Sequence, residues 1–278
     1  MTTSGIAAAS SLSPSDPHRG NWLTPAARRV GLFGATLLVI VALWQLATAS
    51  GLVKTYILPS PQAVFSTVVR QAQLITHEAA ATLSASLIGL IIGTAVGVGT
   101  AVVLAYLPFA DRAILPLAIV LSTAPLIAVI PVLVVALGNG PTPRIIIAAL
   151  AATVTTVIYV RKGLGESHAE GEELLTTLDA SRWQRIRIVQ IYAMLPYLFA
   201  ALRVSVSTCV IQTIVAEWIT GTSGLGYLVQ IAGASNRPEL MWAAIVAAVV
   251  LTSTLLGILA LIESVATPWS TATKEGMR

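Results

Sequence analysis

Apolar residues cluster along this chain in runs longer than a soluble helix needs. Six stretches stand out: 30–49, 82–107, 113–137, 145–160, 193–216 and 241–262. A helix needs about 20 apolar residues to cross the hydrocarbon core of a bilayer. The pattern therefore predicts an all-α polytopic membrane protein with six transmembrane helices. The run 145–160 is short. At about 1.5 Å per residue it spans only if the side chains of Arg144 and Arg161 snorkel to the two interfaces. The runs are too long for barrel strands and do not alternate. Between 62 and 75, Val64, Phe65, Val68 and Val69 form a helical stripe. It fits an amphipathic helix lying at the outer interface or an ordinary packed connection.

One polar island interrupts this pattern, at residues 161–193. It holds five acidic residues (Glu166, Glu170, Glu172, Glu173, Asp179) and five basic ones (Arg161, Lys162, Arg182, Arg185, Arg187). Ser167 and Glu170 fit a capping box, after which Leu174, Leu175 and Leu178 share a helical face. A second short helix from Ala180 brings Trp183, Ile186 and Val189 together. The arginines suit anionic headgroups, but the acidic half would be repelled there. A mixed-charge, helix-patterned loop suits docking on another protein.

Composition fixes the class. The chain is 56% apolar and only 10% charged, against about 25% charged in soluble domains. The net charge of +4 is scattered over loop ends, so no nucleic-acid footprint is present. With both termini on one side, eleven lysines and arginines fall on the terminal side and four on the other, with Arg203 inside a span. The positive-inside bias places the termini and the island in the cytoplasm. Residues 1–29 read as a disordered cytoplasmic tail rather than a signal peptide, because the apolar run behind them is long enough to stay in the membrane. Residues 30–270 form the membrane domain, and 271–278 a cytoplasmic tail.

Within the spans, Gly89, Gly93 and Gly97 recur every four residues, which lets another helix backbone come close. Pro116, Pro125 and Pro131 each remove a helix hydrogen bond and fit either a kinked structural helix or a bent pathway. Arg203 lies mid-span, where Arg faces protein or water rather than lipid. It lines the route or anchors a fold contact. Glu217 closes its span at the outer end, and the following 221–228 stretch (GTSGLGYL), with Gly224 and Gly226, reads as a tight re-entrant or interfacial turn. The lone Cys209 reads as a small buried hydrophobe. The chain has no phosphate-binding loop, nucleophile elbow or His-Glu-x-x-His pair, and no cofactor or metal is expected.

At the island the sequence resembles the permease subunits of bacterial ATP-binding-cassette importers, whose cytoplasmic loop reads Glu-Ala-Ala-x3-Gly-x9-Ile-x-Leu-Pro. On this chain the motif Glu falls on Glu173, its two Ala on Leu174 and Leu175, and its Gly on Asp179. Its Ile, Leu and Pro fall on Val189, Ile191 and Tyr192. Only the Glu is identical. The surrounding text is closer: DASRWQRIRIV, LPYLFAALRV (195–204) and AEWITGTSGLGYLV (216–229) look like the branch serving alkanesulfonates, taurine, nitrate and thiamine-precursor pyrimidines. LPSPQAV (58–64), TLSASL (82–87), APLIAVIPVLVVALGNG (124–140) and TPW (267–269) fit too. Asp179 departs from a glycine thought to allow the turn in the docking helix pair, and Gly89 stands where the branch often has a basic residue.

The resemblance implies a type I ABC importer permease, working as a dimer with a second permease subunit. Two cytoplasmic ATP-binding subunits would dock on Glu173, Leu174, Leu175, Asp179, Ala180, Ser181, Arg182, Trp183 and Arg185. An external solute-binding protein would sit above the outer loops. Pathway or gate positions would include Pro125, Pro131, Arg203, Glu217, Gly224 and Gly226. The competing class is a stand-alone ion-coupled carrier or channel, which needs intramembrane acids or broken-helix repeats.

Overall fold

The computed structural model describes residues 25–51, 53–122, 126–165 and 190–267, and the structural statements below concern these. In chain order the helices are α1 (Pro25–Ala49), α2 (Pro61–Arg70), α3 (Ala72–Tyr106), α4 (Pro108–Ser122), a 3₁₀ turn (Leu126–Val129), α5 (Ile130–Leu137), α6 (Pro141–Gly165), α7 (Ile191–Thr220), α8 (Leu225–Ala234) and α9 (Pro238–Ala266). α3, α6, α7 and α9 are long and apolar enough to cross a membrane.

The crossings differ from the apolar runs in instructive ways. The fourth is not short: α6 has 25 residues, because Pro141 and Pro143 are tolerated in the first turn of a helix, where a missing N–H costs nothing. The stretch 62–75 divides into α2 and the start of α3. Ser60 caps α2, its Oγ accepting from the Ala63 N–H at 3.3 Å, and Pro61 occupies the first turn. The chain turns at Gln71, and α3 then runs for 35 residues. The third run is no single rod. Pro116 lies inside α4, and α5 begins separately behind the 3₁₀ turn with Pro131 in its first turn. Proline removes ladder bonds, and neither α4 nor α5 alone is long enough to cross. Pro125 lies outside the described residues.

α6 is the central element, flanked by α3 and α7. The α3 glycines make that contact. A Cβ on Gly89 would lie 2.5 Å from the Ala148 Cβ, and one on Gly93 2.3 Å from the Ala149 carbonyl oxygen. One on Gly97 would meet the Thr156 Cβ at 2.6 Å. Thr153 Oγ1 also donates across the seam to the Gly93 carbonyl at 3.2 Å. On the other flank, Cys209 of α7 is buried with Ala148 and Ala152, its thiol 3.3 Å from the Ala148 carbonyl. Lipid supplies no hydrophobic drive between spans, so this close van der Waals fit is what holds them.

The bundle has two ends. At one, α3 and α6 finish and α7 starts, bracketing the island. At the other, Val64 of α2, Ile75 of α3, Leu225, Leu228 and Ala232 of α8 and Leu240 of α9 form one buried cluster. Here Trp44 of α1 meets Trp242 of α9, ring centroids 5.6 Å apart. The two indole N–H groups donate to the Pro59 and Ile57 carbonyls, each at 3.0 Å. The rest of α1 exposes Leu37, Leu38, Val39, Leu43 and Leu46.

Gly93→Ala forces a methyl onto the α6 backbone, so it is expected to destabilise the bundle by about 1–3 kcal/mol. Gly99→Ala, with nothing within 4 Å of the added Cβ, should be neutral. Thermal unfolding of the two variants in detergent checks the contrast.

Candidate functional site

The sequence brings four polar positions from three helices to the end of the bundle away from the island. Glu78 and Thr82 are one turn apart on α3, Arg144 is near the start of α6, and Glu217 is near the end of α7. All are buried, Glu217 completely and Arg144 with 3% of its surface exposed. They converge on the N-terminus of α8. The first N–H groups of a helix lack intrahelical partners. In an apolar setting each unpaired one is costly.

Three of these groups are satisfied by side chains from two helices. The Gly224 N–H donates to Glu78 Oε2 at 2.5 Å, the Leu225 N–H to Thr82 Oγ1 at 2.9 Å, and the Gly226 N–H to Glu217 Oε2 at 3.0 Å. The Thr82 hydroxyl in turn donates to the Glu217 carboxylate, 2.8 Å and 2.9 Å from its two oxygens. Arg144 closes the knot. Its Nη1 lies 3.5 Å from Glu217 Oε1 and donates to the Ser223 carbonyl at 2.8 Å, while Nε donates to the Gly140 carbonyl at 3.3 Å. Two carboxylates at a positive helix end, with one guanidinium beside them, are electrostatically matched.

The glycines are dictated by this approach. Gly221, at φ +61°, ends α7 in the left-handed conformation. Gly224, at φ +103°, would place a Cβ 2.1 Å from the Glu217 carboxylate. A Cβ on Gly226 would lie 2.1 Å from the Ile214 carbonyl oxygen. The turn can pass under Glu217 only without side chains at both positions.

Two readings of the sequence change here. Arg144 does not snorkel; it is buried in the knot. Arg203 anchors a fold contact: it pairs with Glu263 of α9, near the island end. Its side chain is 54% exposed, which leaves the guanidinium facing whatever lies beside α7. Arg161 does not snorkel alone either and pairs with Asp111. Glu78 and Thr82 escaped the sequence reading. Their signal is the i, i+4 spacing of two polar residues on one face at the edge of an apolar run. Of the other candidates, Pro131 is exposed on α5. Glu173, Leu174, Leu175, Asp179, Ala180, Ser181, Arg182, Trp183 and Arg185 lie outside the described residues. Among the described residues, no cluster of His, Cys, Asp and Glu can hold a metal.

The bundle is all-helical among the described residues, with four helices long and apolar enough to cross a membrane. A family model described as the binding-protein-dependent transport system inner membrane component matches residues 93–264. The chain belongs to that family. It is 30% identical over 207 residues to a probable ABC transporter permease protein of Haemophilus influenzae, covering 74% of this chain and 84% of that one. It is 26% identical over 260 residues to the taurine transport system permease protein TauC of Escherichia coli, covering 91% and 94%. The fold matches a chain of the MetNI methionine ABC transporter in inward-facing conformations, with a TM-score of 0.56 and 17% identity over 68% of this chain and 98% of that one. The architecture is that of a type I ABC importer permease.

Glu217→Ala strips the acceptor from Thr82 and Gly226 and leaves Arg144 buried without its counter-charge. Breaking a buried pair from one side costs about 3–5 kcal/mol. Arg203→Gln, at a half-exposed pair, should cost far less. Thermal unfolding in detergent is expected to rank Glu217→Ala well below Arg203→Gln.

Proposed function

We propose that this permease passes a small solute through the inner membrane of a bacterial cell. An external binding protein delivers the solute, and two cytoplasmic ATP-binding subunits drive the step. The solute class is an alkanesulfonate, taurine, nitrate or a thiamine-precursor pyrimidine. Family membership and the taurine permease relative support this reading. The single observation that carries it is the charge of the island. In a chain of this family, residues 161–193 carry ten charged residues, and α6 and α7 bracket them at one end of the bundle. The excess of lysine and arginine on that side supports a cytoplasmic reading of this end and both termini.

The island is then the docking element. Glu173 to Arg187 would rest on the ATPases, and their closure on ATP would move the segment as a rigid body. A second copy of the chain completes the pathway, with spans between α3 and α7 around the dimer axis. The buried knot lies at the opposite end, beneath the outer surface that receives the binding protein. Its acids are paired internally with backbone N–H groups, Thr82 and Arg144, which leaves no free carboxylate for ion coupling there.

In proteoliposomes holding permease, ATPase subunits and binding protein, labelled taurine uptake should require ATP. Asp179→Arg and Trp183→Glu are expected to lower ATPase binding about tenfold, the scale of a typical coupling energy. Uptake by the permease alone without ATP would support a stand-alone carrier instead. Cysteines introduced between 166 and 189 should react only from the cytoplasmic side; the sole native cysteine, Cys209, is buried. Labelling of that segment in intact cells would reverse the orientation and remove the docking role.

A further inference from the structure

We propose that the Asp111–Arg161 pair is the joint that carries movement of the island into the proline-interrupted third crossing. This rests on the importer reading above and names the residues that transmit its stroke.

Arg161 sits on the last turns of α6, five residues before the segment 166–189. It grips Asp111 with both arms: Nε lies 2.8 Å from Oδ1, and Nη2 2.9 Å from Oδ2. Such a fork fixes direction as well as distance, because two parallel bonds resist rotation. The side chains are only 22% and 19% exposed, so competition from water is limited. Asp111 belongs to the first turn of α4. Beyond it, α4 touches its neighbours through a small cluster of Leu104, Ala118 and Val157, with Ile158 against it. α4 is therefore a short rod, about 22 Å long at 1.5 Å per residue. It is held at its island end by a charged fork; α5 follows behind the 3₁₀ turn at Leu126–Val129.

The other stem of the island is held differently. Tyr106 at the end of α3 donates to Gln190 Oε1 at 2.9 Å, one exposed neutral hydrogen bond. Gly163 of α6 lies flat against the Tyr197 ring of α7, where a Cβ would meet the ring at 2.7 Å. This contact keeps α6 and α7 together at the stems and lets them move as one. From this pair the charged fork leads to α4. A largely buried pair adds little net to folding, because desolvation offsets most of its attraction. Its value lies in alignment.

The test uses the permease–ATPase complex with spin labels at Leu117→Cys on α4 and Ile211→Cys on α7, both exposed positions. The label distance is measured with and without bound ATP. In the otherwise unsubstituted complex it should shift on ATP binding. Asp111→Asn and Arg161→Gln should abolish the shift while ATPase binding and thermal stability hold. The exchanged pair, Asp111→Arg with Arg161→Asp, should restore it, which a merely structural contribution would not predict. A shift that survives Asp111→Asn, or an exchange that fails to rescue a folded complex, overturns the joint and leaves the importer reading intact. A permease that binds no ATPase at all overturns that reading and the joint with it.

Discussion

Every backbone polar group of a chain inside a membrane has to find its partner within the protein. The start of α8 is where that constraint presses hardest. A ten-residue helix is too short to cross, so its N-terminal N–H groups sit at the mouth of the bundle rather than in water. Three side chains from two other helices meet them, and Arg144 brings in a third. Once that requirement is set, much else is determined: the glycines at 221, 224 and 226, the burial of Glu217, and the turn of α3 that shows Glu78 and Thr82 to α8. The end of the bundle is fixed by hydrogen bonds and its middle by glycine contacts, so the two halves use different physics.

The bundle's other end is built on looser terms. Charged groups there, at Asp111, Arg161, Arg203 and Glu263, sit in partly exposed pairs. They align elements more than they stabilise them. One end is tied by buried hydrogen bonds and the other by partly exposed charge pairs.

Much of this was legible in the sequence, and the misses have physical causes. Run lengths gave the membrane class, and the glycine spacing in α3 pointed to the helix contact it makes with α6. Glu217, Gly224 and Gly226 stood out individually. Their assembly did not, because the residues completing the knot lie about 140 positions away on α3, and no local pattern joins a threonine at the edge of one apolar run to a glycine turn so distant. Arg144 and Arg161 misled for a related reason. Hydropathy shows that a charge stands at a span end but not whether an acid waits beside it. The break after α4 was visible as prolines; its position depends on how the pieces pack.

The knot also sets an order on how the chain is made. Glu78 and Thr82 emerge from the ribosome long before Gly224, 146 residues downstream of Glu78. Until the last third of the polypeptide arrives, Glu78 and Thr82 of α3 wait for the backbone N–H groups they accept from. Biogenesis therefore has a vulnerable interval, and the final short helix serves as the keystone that ends it.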